Sequence, residues 1–294
     1  MKIGRLLTAM ITPFDENGDI NYDMAAKLSK AIIDSGSDGL VIGGTTGEAP
    51  TINDQEKLKL FSVVKESIGP EHALIAGTTN NNTKESVKLS KLAEAAEVDG
   101  LLLTVPSYNK PTQDGLYQHF KSISEEVSIP CILYNVPSRT SLNMTDETTI
   151  KLSNLKNIVG IKEASSDLDQ ITRIISNTSD DFKVWSGNDN ETLYILSAGG
   201  YGIVSVAGHI VSSQIKQLIG HVLEGNIEVA GKEHQRLLEF FNIIFVVTNP
   251  IPIRYYVKKA GYDIGSPRLP MTEPDDQTKA ILDESIKKYN IDLK

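Results

Sequence analysis

Short apolar runs alternate with longer amphipathic segments through most of the chain. Apolar runs of this length are typical of buried parallel strands, and segments with apolar residues every three to four positions are typical of helices. The predicted strands are 6–11, 39–42, 73–76, 100–104, 131–134, 158–161, 183–185 and 202–206. Predicted helices between them include 24–35, 56–67, 84–97 and 115–127. Asn53 and Thr83 stand where N-caps are expected, and Glu56 completes the spacing of a capping box with Asn53.

Eight strand–helix units in succession favour an α/β fold, the (β/α)8 TIM barrel, whose usual size is about 250 residues. A doubly wound open sheet is the alternative, but it rarely needs eight regularly spaced parallel strands. After about residue 225 only helical periodicity remains, in segments 227–244, 254–260 and 278–289. We therefore predict a barrel over 1–224 that carries the active site, followed by a C-terminal helical extension over 225–294.

The composition of the chain argues against two classes of binding partner. The chain has 294 residues, with 29 basic and 38 acidic side chains and a formal charge of −9. An acidic surface argues against nucleic-acid and anionic-membrane partners, because both need a basic face. The N-terminus lacks a basic segment followed by an apolar one, and no stretch is long and apolar enough for a membrane span, so we expect a cytoplasmic protein. The single cysteine, Cys131, lies among apolar neighbours and is expected to be an inert buried thiol.

A lysine at the end of the sixth predicted strand is the first candidate for chemistry. Lys162 follows the apolar run 158–161. Burial there would disfavour the ammonium ion and leave free amine, the form that attacks a carbonyl group. Lys162 is therefore a candidate Schiff-base nucleophile, although a strand-end lysine can also extend its amine into solvent.

Other polar groups follow neighbouring strands. Thr45 and Thr46 follow the second strand, Tyr108 the fourth and Tyr134 the fifth. In a barrel all of these strand ends lie on one rim, where active sites are found. This convergence favours a functional interpretation over separate structural roles.

Two loops on this rim have a composition suited to small anions. Loop 43–48 combines three glycines with Thr45 and Thr46, so its hydroxyls and free N–H groups can bind a carboxylate. It lacks the spacing of a dinucleotide fingerprint or of a P-loop. Arg139, after the fifth strand, offers a planar guanidinium for a substrate carboxylate. Tight turns without a ligand and a solvated arginine are the structural alternatives.

The histidines do not indicate a metal site. Their positions are 72, 119, 209, 221 and 234. None of them has the spacing of metal ligands. The chain also lacks the motif that surrounds a nucleophilic serine. A lysine, several hydroxyls, an arginine and an anion-binding loop suit imine chemistry on a small keto acid.

Five segments in combination resemble the dihydrodipicolinate synthase family. They are GTTGE at 44–48, NKPTQDGLYQHF at 109–120, YNVPSRT at 134–140, GIKEA at 160–164 and NPIPI at 249–253. The resemblance covers nearly the whole chain, from residue 6 to about 271. It implies a (β/α)8 barrel that needs no cofactor or metal and condenses pyruvate with L-aspartate 4-semialdehyde in lysine and diaminopimelate biosynthesis.

The resemblance also implies roles for individual residues. Lys162 would form the imine with pyruvate, and Thr46 would bind the pyruvate carboxylate. Tyr134, Thr45 and Tyr108 would relay protons, with Tyr108 supplied by the partner subunit of a tight dimer within a homotetramer. Arg139 would bind the carboxylate of the semialdehyde. Gly187 and the backbone of Val204 would border the substrate.

One position departs from the family pattern. Ser107 stands where the family commonly has a tyrosine that packs across the dimer and borders a site of inhibition by lysine. The positions that match this site are Asp54, Lys57, Asn81, Glu85 and Ser107. A cationic Lys57 would repel a cationic effector, so we predict weak or absent inhibition by lysine.

Two other functions remain open at this point. A sister aldolase acting on N-acetylneuraminate or a 2-keto-3-deoxy sugar acid would share the lysine and the tyrosine. A catalytically inactive binding barrel would keep the fold without forming an imine. Arg139 favours a short acidic aldehyde over a polyol, and the intact lysine argues against the inactive barrel.

Overall fold

Eight parallel strands close into a barrel in chain order, with helices between them, so the predicted fold is confirmed. The structure, a computed structural model, describes residues 3–294. The strands are β1 Leu6–Ala9, β2 Gly39–Ile42, β3 Ala73–Gly77, β4 Gly100–Thr104, β5 Cys131–Asn135, β6 Ile158–Glu163, β7 Lys183–Ser186 and β8 Gly202–Ser205. The helices are α1 Tyr22–Asp34, α2 Asp54–Ile68, α3 Thr83–Ala95, α4 Gln113–Ser124, α5 Pro137–Thr140, α6 Asp146–Leu152, α7 Leu168–Asn177, α8 Thr192–Ser197, α9 Gly208–Leu223, α10 Ile227–Ile243, α11 Ile251–Lys259 and α12 Asp276–Ile286.

Alternate residues of each strand face opposite sides of the barrel wall. Leu7 and Val41 pack inside the barrel, whereas Leu6 and Leu40 belong to the larger core between strands and helices. This alternation follows from the two-residue period of a strand, and it explains why both kinds of position are apolar. The inner layer includes Tyr134, which therefore projects into the barrel.

Most predicted boundaries agree with the structure to within two or three residues. Strand β6 continues to Glu163, so Lys162 is its penultimate residue rather than the first residue after it. Asn53 caps α2 and forms the predicted capping box with Glu56. The prediction for α3 was wrong by one position: Asn82 is the N-cap and Thr83 is the first helical residue.

The C-terminal helices pack onto the barrel rather than forming a separate core. Leu237 of α10 and Ile253 of α11 belong to the same hydrophobic cluster as Leu6 of β1. Between α11 and α12, residues 260–275 form neither helix nor strand and run back over the carboxyl-terminal rim of the barrel. Within residues 3–294, no helix combines the length and apolar character needed to cross a bilayer.

Candidate active site

Lys162 lies inside the barrel near the carboxyl end of β6, with its side chain 4% exposed. It pairs in register with Tyr134 on β5 and Trp185 on β7, and its Nζ lies 4.3 Å from the centroid of the Tyr134 ring. Burial lowers the pKa of Lys162 from 10.5 to about 7, while the Asp189 carboxylate raises it and the Arg139 cation lowers it. About half of this amine is therefore unprotonated at neutral pH and able to attack a carbonyl carbon.

A tyrosine hydroxyl and a threonine hydroxyl lie beside this lysine. Tyr134 is buried at the end of β5, close enough to the side chain of Thr45, in the loop after β2, for Thr45 to lower the pKa of the phenol. Burial raises the pKa of Tyr134 to about 12, so the phenol stays neutral near pH 7. A neutral phenol both donates and accepts a hydrogen bond, which suits it to pass a proton between a substrate and Thr45.

Loop 43–48 places Thr46 at the same rim. Gly43 has φ +69°, a left-handed conformation that favours glycine and turns the chain sharply after β2. The Thr46 side chain is buried, and its oxygen accepts a hydrogen bond of 2.9 Å from Asn249 Nδ2. Its hydroxyl proton is therefore left to donate to a ligand.

Arg139 lies on α5, directly after the strand that carries Tyr134. The side chain is exposed, and Nη2 donates to the backbone oxygen of Asn249 at 3.4 Å. Together with Thr45 it lines a cavity of about 430 Å³. This position lets the guanidinium meet a carboxylate that enters the cavity.

The positions matched to the lysine-inhibition site divide into two groups. Lys57, Asn81 and Ser107 line the same cavity as Arg139. Asp54 is the first residue of α2, and Glu85 lies in the first turn of α3. Burial lowers the pKa of Lys57.

Tyr108 is not brought to Lys162 by its own chain. It adopts φ +71° on the loop after β4, and its side chain is 91% exposed. In the same loop, Asn109 Nδ2 donates to the backbone oxygen of Asn81 at 3.0 Å. A single chain therefore assembles Lys162 and Tyr134 without the third predicted hydroxyl.

Gly187 and Val204 lie close to this interior. The Gly187 N–H donates to the Glu163 carbonyl at 2.6 Å, and a Cβ on Gly187 would lie only 2.6 Å from Ala164 Cβ, so a side chain does not fit there. Val204 is fully buried on β8, in the inner layer that also contains Tyr134.

Asp189 is a site residue that sequence reasoning missed. It is buried just after β7, where it accepts hydrogen bonds from Ser205 Oγ and from the N–H groups of Val206 and Ala207. Its carboxylate is the anion that partly offsets the effect of burial on Lys162. Its position after a strand was a usable signal, because an acidic side chain there falls on the same rim.

Two other buried titratable groups, Cys131 and His209, have structural surroundings. Cys131 is buried and its pKa is raised to about 12, as expected for an inert thiol. His209 is held at both ring nitrogens, by the Ile11 N–H and the Val206 carbonyl, and burial lowers its pKa to about 4. Among residues 3–294, no group of three or more His, Cys, Asp and Glu side chains is arranged to hold a metal ion.

Fold and site together define a (β/α)8-barrel protein with a buried lysine, flanked by hydroxyl groups, at the carboxyl end of its strands. The chain belongs to the dihydrodipicolinate synthetase family, whose model matches residues 2–289. A 4-hydroxy-tetrahydrodipicolinate synthase from Dehalococcoides mccartyi is 52% identical over 292 residues, which cover 99% of this chain and 98% of the relative.

Two solved structures show the same similarity. A DHDPS from Cyanidioschyzon merolae, crystallised with lysine bound, has a TM-score of 0.96 and 40% identity, and 98% of each chain is covered. The dihydrodipicolinate synthase from Aquifex aeolicus also has a TM-score of 0.96, with 38% identity over 99% of this chain and 100% of that chain. These likenesses extend through the C-terminal helices as well as the barrel.

Proposed function

We propose that this protein condenses pyruvate with L-aspartate 4-semialdehyde to 4-hydroxy-tetrahydrodipicolinate, a step of lysine and diaminopimelate biosynthesis. The observation that carries the proposal is the buried Lys162 amine, whose Nζ lies 4.3 Å from the centroid of the Tyr134 ring. Membership of the dihydrodipicolinate synthetase family and the name of the 52% identical relative support this choice of substrates.

In the first step the Lys162 amine attacks C2 of pyruvate. The carbonyl oxygen takes up protons and leaves as water, and a C=N bond forms between substrate and lysine. Thr46, whose proton is free to donate, binds the pyruvate carboxylate together with N–H groups of its loop. Tyr134 and Thr45 supply and remove the protons, because both hydroxyls lie on the rim beside the lysine and can donate and accept.

In the second step the imine acts as an electron sink. A C3 proton is lost, the electron pair of the C=N bond moves to nitrogen, and an enamine forms. Its C3 attacks the aldehyde carbon of the second substrate, whose oxygen gains a proton and becomes a hydroxyl group. Arg139 binds the carboxylate of the semialdehyde, while Gly187 and the backbone at Val204 border the substrate.

In the last step the amino group of the semialdehyde moiety attacks the re-formed imine carbon. Transimination breaks the bond to Lys162, closes the six-membered ring and returns the free lysine. Over the three steps the carbonyl oxygen of pyruvate leaves as one water, one C–C bond forms, C–N bonds form and break, and protons move between groups, so the balance requires no oxidant or reductant.

The active form in this proposal is a homo-oligomer. Tyr108 completes the proton relay from the partner subunit of a tight dimer, which accounts for its exposure on the single chain; two such dimers form the tetramer. The protein acts in the cytoplasm on small dissolved substrates. The division at residues 224 and 225 separates the barrel from helices that pack onto it.

The decisive assay couples the condensation to a dihydrodipicolinate reductase and follows the loss of NADPH. Lys162→Ala should abolish turnover, whereas Lys183→Met should retain it, because Lys183 begins the neighbouring strand at the opposite end of the barrel. Borohydride with pyruvate should leave a reduced pyruvate adduct on Lys162, located by peptide mass spectrometry. An adduct without turnover would identify a sister aldolase, and no adduct would refute the imine mechanism.

A further inference from the structure

A buried ion pair joins loop 43–48 to the C-terminal extension. Glu48 is the last residue of the loop and is 3% exposed; Arg254 lies in α11 and is 1% exposed. Arg254 Nη1 donates to Glu48 Oε1 at 3.0 Å, and the backbone N–H of Arg268 donates to Glu48 Oε2 at 3.1 Å. Both carboxylate oxygens are thus bound by the extension.

The Arg254 guanidinium also binds three backbone carbonyl groups. Nη1 donates to Thr12 at 2.6 Å, and Nη2 donates to Ile264 at 2.9 Å and Gly265 at 3.1 Å. The Thr12 hydroxyl in turn donates to the Gly47 carbonyl at 2.7 Å. One arginine therefore connects the segment after β1, the loop after β2 and the segment after α11.

This arrangement is unfavourable for the fold in two respects. Taking two charges out of water costs free energy, and an apolar pair of similar volume often supports a core equally well. Glu48 also adopts φ +59°, a left-handed conformation that is strained for a residue with a side chain. Burial raises the pKa of Glu48, while Arg254 and Arg268 lower it. Stability alone does not account for the pair, but a fixed loop geometry does.

A second contact ties the same loop to the same extension. Asn249, just before α11, donates from Nδ2 to Thr46 Oγ1, and its backbone oxygen accepts from Arg139. The extension thus fixes the orientation of the Thr46 hydroxyl as well as the path of the loop backbone. Donors held in place before the ligand arrives bind a carboxylate without having to reorganise.

We infer that Glu48 and Arg254 are positioning residues that hold loop 43–48 in the shape that binds the keto-acid carboxylate. Neither residue touches the substrate in this scheme; both act through the loop. The C-terminal extension is consequently a working part of the active site. The inference rests on the proposed function, because it takes pyruvate as the ligand of the loop.

The test measures pyruvate binding separately from turnover. Glu48→Gln keeps the side-chain shape but removes the charge, and Arg254→Lys keeps the charge but loses the planar fork that reaches three carbonyl groups. For each variant, the pyruvate concentration that gives half-maximal borohydride trapping is measured, together with both KM values and kcat. Displacement of the loop should raise the half-saturating pyruvate concentration about tenfold, with the KM for the semialdehyde changed less than about twofold.

A matched control is available at the opposite end of the barrel. The Asp38 carboxylate accepts from the backbone N–H groups of Arg5 and Leu6 and from Lys216 Nζ. Asp38→Asn should lower the thermal midpoint while leaving pyruvate saturation unchanged. Glu48→Gln and Arg254→Lys change opposite partners of the ion pair, so the test can still be made if one of these two variants fails to fold.

The outcomes separate the two proposals. If wild-type protein traps pyruvate and a folded Glu48 or Arg254 variant traps it at the wild-type concentration, the positioning role is refuted while the proposed function stands. If wild-type protein traps no pyruvate, the proposed function fails, and the inference fails with it. A tenfold rise in both variants but not in the Asp38 control supports the inference.

Discussion

Replacing Lys162 with methionine should make the folded protein more stable near neutral pH while abolishing catalysis. Burial lowers the pKa of Lys162 from 10.5 to about 7. Between these two values the unfolded chain binds a proton at this residue that the folded protein does not. Protonation therefore favours unfolding, and the cost of keeping Lys162 buried grows as the pH falls from 10.5 toward 7. Methionine has similar length and no charge, so it removes this cost.

The size of the effect follows from the two pKa values. For a single group the linkage relation gives a cost of about 4 kcal/mol at pH 7 and about 2 kcal/mol at pH 9, with almost none above pH 10.5. Removing the cation also deprives the buried Asp189 carboxylate of a favourable interaction, which makes the observed gain smaller. The test is therefore the difference between the stabilisation by Lys162→Met at pH 7 and that at pH 9, which is expected to be about 2 kcal/mol.

Urea unfolding followed by far-ultraviolet circular dichroism measures this difference. Trp185 fluorescence is a poorer probe, because the only tryptophan pairs in register with Lys162 and senses the substitution directly. Protein concentration is held fixed, since assembly adds to apparent stability. Lys183→Met on the adjacent strand supplies the baseline. A Lys162→Met gain that is equal at pH 7 and pH 9, or a loss at both, would refute the burial argument.

Four further outcomes are expected. Arg139→Ala should raise the KM for the semialdehyde by tenfold or more, the usual effect of losing a charge-assisted contact, with pyruvate trapping retained; equal loss of trapping would contradict its assignment to the second substrate. Tyr134→Phe should lower kcat about a hundredfold through loss of proton transfer, measured in the coupled assay. Lysine should inhibit only weakly because Lys57 is cationic, so half-inhibition below millimolar lysine in that assay would contradict the prediction. Mixing inactive Tyr108→Phe and Lys162→Ala chains should restore activity, because one site of each hybrid dimer has both an intact Lys162 and an intact Tyr108 from the partner. If native mass spectrometry shows that subunits exchange but activity does not return, Tyr108 is not supplied across the interface.

The parts of the molecule that sequence analysis predicted are those encoded locally. Each strand is a short apolar run, and the rim that carries Lys162, Tyr134 and Thr45 follows from strand order alone, because every parallel strand ends on the same side of the barrel. Helix ends were predicted less accurately, since Asn82 and Thr83 are both acceptable caps and only backbone geometry distinguishes them. The contribution of a partner to the site could be proposed only from family resemblance.

The contacts that no local pattern revealed join residues far apart in the chain. Asn249 and Thr46 are separated by 203 positions, and Arg254 and Glu48 by 206. Neither pair has a sequence spacing that marks it, so the division into a catalytic barrel and an accessory extension was the natural prediction. The contacts add a role within that predicted division: the barrel carries the lysine and its neighbouring hydroxyls, and residues of the extension contact the loop on which the carboxylate is expected to bind. Truncation after residue 224 would therefore remove residues that hold the loop, as well as α10–α12 and their part of the core.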